Sequence, residues 1–153
     1  MLSAFQVSEA DWAVYESPSN SDVRALRRRL GAHNVQLANI DQGLTLGIFL
    51  RADNDAIVAG IYGWLWGACL ELDYLWVHKD LRGQGVGRRL VQALEQDVLA
   101  RGCRQVTLDT YNFQAPEFYR KLGYEVFGTI DGYPGGHRKL YLRKRLDAPR
   151  VQT

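Results

Sequence analysis

Residues 70–87 read LELDYLWVHKDLRGQGVG, and this stretch decides what kind of fold the chain can adopt. Leu70 to Val77 is rich in Leu, Tyr, Trp and Val, the composition of a half-buried strand. The second half ends in RGQGVG, where glycines at 83, 85 and 87 remove side chains just as a helix begins. From Gly85 to Arg101 the apolar positions Val86, Leu90, Val91, Leu94, Val98 and Leu99 follow the 3.6-residue period, and Gly102 closes the run. A strand, a glycine loop and a helix in that order leave the first helical N–H groups without partners. Together with the positive end of the helix dipole they form an anion site. Arg82 before the helix, and Arg88 and Arg89 in its first turn, add charge-assisted donors that suit a pyrophosphate or a sugar phosphate. The plainer alternative is a glycine turn with solvated arginines, but it leaves the coincidence of the three features unexplained.

Working outward toward the N-terminus, Cys69 to Val77 follows a Gly67-Ala68 turn and a strand from Ala56 to Trp66. The Asp53-Asn54-Asp55 turn connects that strand to another, Leu44 to Arg51. Asn20 or Ser21 can cap a helix from Asp22 to about Leu30, with Val23, Leu26 and Leu30 on one face and Gly31 as its stop. Toward the C-terminus, Gln105 to Thr110 alternates as a strand, and Pro116 opens a short helix that Gly123 ends. Tyr124 to Ile130 and Arg138 to Leu146 form a final hairpin around DGYPGG. The expected class is α/β: a single domain over 1–153 with a mixed, mostly antiparallel central sheet flanked by helices, and a loose tail at 147–153.

Composition narrows the functional classes. With 153 residues, 46% hydrophobic and 24% charged, the chain can bury a core without staples. A net charge of +2 and no basic face interleaved with aromatics argue against nucleic acid. Cys69 and Cys103 have neither disulfide-framework nor zinc spacing. The uncharged run from Ala56 to Leu70 is shorter than the ~20 residues a spanning helix needs. MLSAFQVSEADW has no basic segment before an apolar one, so no secretory signal is expected. These features predict a cytoplasmic protein with no membrane partner.

The ligand of the glycine loop narrows by exclusion. A P-loop needs GxxxxGK followed by Ser or Thr, and a dinucleotide fingerprint needs GxGxxG, but Arg88 stands three residues after Gly85. The loop instead resembles the pyrophosphate motif of the GNAT family of N-acetyltransferases, Q/R-x-x-G-x-G/A, matched by Arg82, Gly85 and Gly87. A second stretch, NFQAPEFYRKLGY at 112–124, is similar to the family's later N…A…FY.K.GF region. The resemblance covers roughly 44–146 and implies the acyl-CoA N-acyltransferase fold, with acetyl-CoA as co-substrate, an amine as acceptor, no metal and a homodimer.

It also implies roles. Backbone groups of Leu75, Trp76 and Val77 would pair with the pantetheine arm, and the N–H groups through Arg82, Gly83, Gln84, Gly85, Val86, Gly87 and Arg88 would hold the pyrophosphate. Asn112 would hydrogen-bond the pantetheine, with Ala115 and Phe118 beside it. Tyr119 would protonate the departing thiolate; its alternative is a core aromatic. An amine acceptor must lose a proton, so a base is needed. Glu71 and Asp73 lie on one face of one strand and are the candidates, the resemblance favouring Glu71. A solvated strand face is the other reading, and His137 or a held water the other base. Trp64 and Trp66 share a face with Tyr62, as core or as pocket wall. Arg24 and Arg27 to Arg29 read as a wet helix face. Arg138, Lys139, Arg143, Lys144 and Arg145 read as an outward strand face that blunts a sheet edge. A coenzyme A-binding module without turnover is the competing class, and Tyr119 with Glu71 and Asp73 argues against it.

Overall fold

The computed structural model describes residues 8, 12–39, 41 and 43–146. The expected loose tail and the N-terminal segment examined for a signal lie outside these, apart from Ser8 and Trp12. The chain divides into two compact units, residues 1–42 and 43–153. The first holds helix α1, Asn20–Ala38. Its cap is Ser19, whose hydroxyl accepts from the Asp22 N–H, and it runs through Gly31 to a left-handed Asn39. The expected stop at Gly31 therefore fails. A glycine inside a helix costs only about 1 kcal/mol against alanine, too little by itself to end one that Ala32, Gln36, Leu37 and Ala38 can continue.

The second unit is one six-stranded sheet with helices. Its elements are β1 (Leu44–Arg51), β2 (Ile57–Trp66), β3 (Cys69–Val77), α2 (Val86–Ala100), β4 (Gln105–Tyr111), α3 (Pro116–Lys121), β5 (Glu125–Tyr133) and β6 (His137–Arg145). The strand order is β1-β2-β3-β4-β6-β5, with β3 and β4 parallel and every other neighbouring pair antiparallel. A parallel pair needs a crossover, and α2 supplies it. Leu90, Val91, Leu94 and Val98 of α2 are buried. They form one core cluster with Ile61, Leu70, Leu72, Val106, Leu108 and Leu142 from the sheet. Each such side chain contributes roughly 1.5–3 kcal/mol by leaving water.

Two expectations about the last strands need correction. β6 is no edge: it lies between β4 and β5, and β1 and β5 are the edges. Nor do its cations all face outward. Lys144 shares a face with buried Leu142 by the two-residue period and sends its ammonium to Glu95 of α2, 2.6 Å away. Glu95 also accepts from the Tyr124 hydroxyl at 2.8 Å, so three polar groups satisfy one another in a site where an unpaired one would be costly. Of DGYPGG, the first three residues continue β5, and only Pro134–Gly136 make the turn.

Candidate active site

The site begins where the parallel pair fails. β3 and β4 are in register from Cys69 opposite Gln105 to Leu72 opposite Leu108, and there the pairing stops. β3 nevertheless continues along β2 to Val77, and β4 continues along β6 to Tyr111. The sheet thus forks, and the β3 backbone from Asp73 to Val77 faces an opening instead of a neighbour. A β-bulge lies at the fork: Tyr62 pairs with Tyr74 and Gly63 with Leu72, so Asp73 is the extra residue. Only glycine allows this approach, since a Cβ at Gly63 would lie 2.5 Å from the Glu71 carbonyl oxygen. The bulge also shifts the side-chain phase. Leu70 and Leu72 are buried before it, Leu75 and Val77 are half-buried after it, and Tyr74 and Trp76 turn outward.

A cleft of about 390 Å³ occupies the fork. Glu71 and Asp73 both line it, so the structure brings the two predicted carboxylates to one cavity. It adds residues that the sequence reading did not single out: Thr107 and Asp109 from β4, with Tyr74, Phe127 and Tyr141 as aromatic walls. Asp109 binds Lys139 at 3.1 Å. The Thr107/Asp109 alternation was visible in the sequence, but the parallel register that sets it beside Glu71 was not. His137 lies away from these cleft residues, at the first position of β6, with its ring on Phe113 and its Nδ1 3.2 Å from Asn112 Oδ1. Trp64 and Trp66 stack on each other, half-buried on the face opposite Ile61 and Leu65.

At the far end of the fork, the glycine loop takes the form its sequence implies. Gly83 and Gly85 have φ of +72° and +79°, a region that suits glycine, and a Cβ at either would meet nothing within 4 Å. Gly85 caps α2 without any side-chain hydrogen bond, leaving the first-turn N–H groups to a ligand. Gly87 serves another purpose: a Cβ there would lie 3.3 Å from the Phe118 ring and 3.7 Å from Val77 Cγ2. The end of β3, the start of α2 and α3 are thereby drawn together. Arg82 and Gln84 shape the loop, donating to the carbonyls of Val77 (2.9 Å) and Asp80 (2.7 Å). Open space, uncapped donors and an unpaired strand edge fit a phosphorylated, strand-like ligand.

Asn112 Oδ1 accepts from the Arg138 N–H at 3.0 Å, which pins the start of β6. Gln114 accepts from Thr110 and from the Tyr111 N–H, closing the loop that carries Ala115 to the cap of α3. Tyr119 is buried in α3, its ring edge-on to Phe118 and to Tyr124. Desolvation pushes its pKa up to about 12, so it stays a proton donor through the physiological range. No described residue takes a hydrogen bond from its hydroxyl.

Comparison with known proteins agrees with this geometry. The chain is 28% identical over 123 residues to the acetyltransferase Atu2258 of Agrobacterium fabrum, covering 80% of this chain and 90% of that one. It is 36% identical over 94 residues to the blasticidin-S acetyltransferase of Streptomyces morookaense, covering 59% and 67%. A crystal structure of an Agrobacterium tumefaciens protein described as a candidate acetyltransferase superposes with a TM-score of 0.80 at 25% identity, over 88% of this chain and 98% of that one. Residues 7–124 match the acetyltransferase (GNAT) family. That match spans well over half of the chain, and the chain belongs to the GNAT acetyltransferases.

Proposed function

We propose that this acetyltransferase is an N-acetyltransferase, moving the acetyl group of acetyl-CoA to a primary amine of a small molecule or peptide by direct attack in a ternary complex. The observation that carries the reading is the β3–β4 fork, which has carboxylates at its base and an uncapped helix N-terminus at its mouth. Acetyl-CoA supplies an activated acyl group and a good leaving group. The backbone N–H groups of the glycine loop and the first turn of α2, from Arg82 to Arg88, hold its pyrophosphate, and the β3 backbone at Leu75, Trp76 and Val77 receives its extended arm as a strand would. Asn112, Ala115 and Phe118 border that arm.

Glu71 or Asp73, directly or through a water, takes one proton from the incoming ammonium, leaving a free amine to form the C–N bond. Tyr119 donates to the sulfur as the C–S bond breaks and recovers a proton from nitrogen as the amide forms. Both partners must sit in the fork together, because no described cysteine lines the cleft to carry the acetyl group. We further propose a cytoplasmic homodimer, whose expected mass by light scattering is twice 17.4 kDa.

The test is release of free thiol from acetyl-CoA over a panel of amines, with Glu71→Gln and Asp73→Asn assayed across pH. The variant that lacks the base should lose on the order of 10²–10⁴-fold in turnover at neutral pH and recover part of it at high pH, where the amine deprotonates itself. Wild-type profiles in both would move the base to His137 or a held water. Coenzyme A binding without thiol release from any amine would leave a binding module.

A further inference from the structure

Asn112 sits where β4 has already parted from β3 and is about to leave β6. Its backbone N–H donates to the Arg138 carbonyl at 3.0 Å, as an antiparallel pair requires. The return bond goes to the side chain: the Arg138 N–H donates to Asn112 Oδ1 at 3.0 Å. The side chain thus closes the last rung of the ladder while the backbone turns off toward α3.

This rung fixes the amide. A backbone N–H can only donate, so the amide atom that faces Arg138 must be the oxygen. His137 Nδ1 lies 3.2 Å from the same oxygen, so it too must donate. With Oδ1 held from the β6 side by two donors, Nδ2 is turned away from that strand. β4 lies between β6 and β3, so the side away from β6 is the side of the fork. No described residue takes a hydrogen bond from Nδ2.

Asn112 is exposed, and an exposed amide held by one bond must still be ordered when a ligand arrives. His137 can prevent this because its own ring is held. It is half-buried and meets Phe113 edge-on with centroids 4.6 Å apart, and Phe113 stacks on Tyr111 at 5.3 Å. The Pro134–Gly136 turn also lies against the ring: a Cβ at Gly135 would be 3.2 Å from His137 Cδ2.

Resting on the reading in which Asn112 borders the extended arm of coenzyme A, we infer that His137 is a positioning residue for that arm. It donates to Asn112 Oδ1, holds the amide with Nδ2 toward the fork, and so readies an N–H donor for an amide carbonyl of the arm. It acts through Asn112 and is not a catalytic residue.

Calorimetry with two ligands tests this: coenzyme A, and 3′-phospho-ADP, which is coenzyme A without its arm. His137→Ala should weaken coenzyme A by about three- to tenfold and 3′-phospho-ADP by less than about twofold. The loss should appear in the KM for acetyl-CoA more than in kcat. His137→Asn should restore most of the affinity, since its Nδ2 is bonded to Cγ as the histidine Nδ1 is, and also donates. Asn112→Ala should weaken coenzyme A at least as much, and adding His137→Ala to it should cost nothing further. Equal weakening of both ligands in His137→Ala would leave the ring a support for the local fold and overturn the positioning role. Failure of His137→Asn to rescue overturns it too, as does a loss confined to kcat, which would make His137 the base. A loss in Asn112→Ala without one in His137→Ala overturns the positioning role alone. Wild-type coenzyme A affinity in Asn112→Ala overturns the reading of Asn112 beneath it, and the role of His137 with it.

Discussion

The parallel pair of β3 and β4 has a closed half and an open half, and the two are built from different residues. In the closed half, Leu70 and Leu72 face Val106 and Leu108, all buried beneath α2. In the open half, Tyr74 and Trp76 of β3 are exposed, and β4 has turned to β6 alone. One strand therefore anchors the core at its beginning and presents unpaired backbone at its end. The difference shows how a sheet can offer a strand-like site without exposing a long edge: the pairing is lost for a few residues, and both flanking strands remain held on their other sides.

Substitutions in the two halves should therefore fail in different ways. The largest effect belongs to the closed half. Leu70→Ala, at a position 1% exposed, should cost about 2–5 kcal/mol of stability by chemical denaturation, while turnover per folded molecule changes little. Equal damage to turnover would mean that the closed half also shapes the site.

At the open half the order reverses. Tyr119→Phe should lower turnover by about 10- to 1000-fold with coenzyme A affinity unchanged, because the hydroxyl has no described partner whose loss would unfold anything. A wild-type rate would return Tyr119 to the packing of α3. The same variant has a pH signature. The Tyr119 pKa is raised to about 12 in the folded protein, so the unfolded chain loses this proton first as pH rises. Its contribution to stability is complete below pH ~10 and is lost between ~10 and ~12, at about 1.4 kcal/mol per pH unit. Tyr119→Phe should flatten the alkaline decline by that amount in denaturation curves taken across this window.

The boundary between the halves gives the smallest effect and the sharpest discrimination. Gly63→Ala places a Cβ against the Glu71 carbonyl and should cost roughly 1–3 kcal/mol. Because the bulge sets where Glu71 and Asp73 point, turnover should fall as well, even in the fully folded fraction. Lost stability with intact turnover would separate the bulge from the chemistry.

How much of this was legible in the chain varies with the range of the interaction responsible. Strands β1 and β3 have the bounds read from alternation and turn residues, and α2 lies within one residue of its expected ends. The glycine loop was legible because its requirements are local: a positive φ at Gly83 and Gly85 and free N–H groups at a helix start depend on neighbours within a few residues. The end of α1 was misread because one glycine is a weak stop.

What sequence order alone determined is therefore the succession of elements, the family motifs, and the candidacy of Glu71, Asp73 and Tyr119. Strand order, the fork and the bulge were decided only in the tertiary structure, because each depends on pairing between residues tens of positions apart. Asp109 belongs beside Glu71 only once β3 and β4 are parallel with Leu72 opposite Leu108. Lys144 turns inward only because Glu95 of α2 and Tyr124 come to meet it. A half-buried cation needs its partners in three dimensions, and the two-residue period of a strand gives its face without saying what lies there.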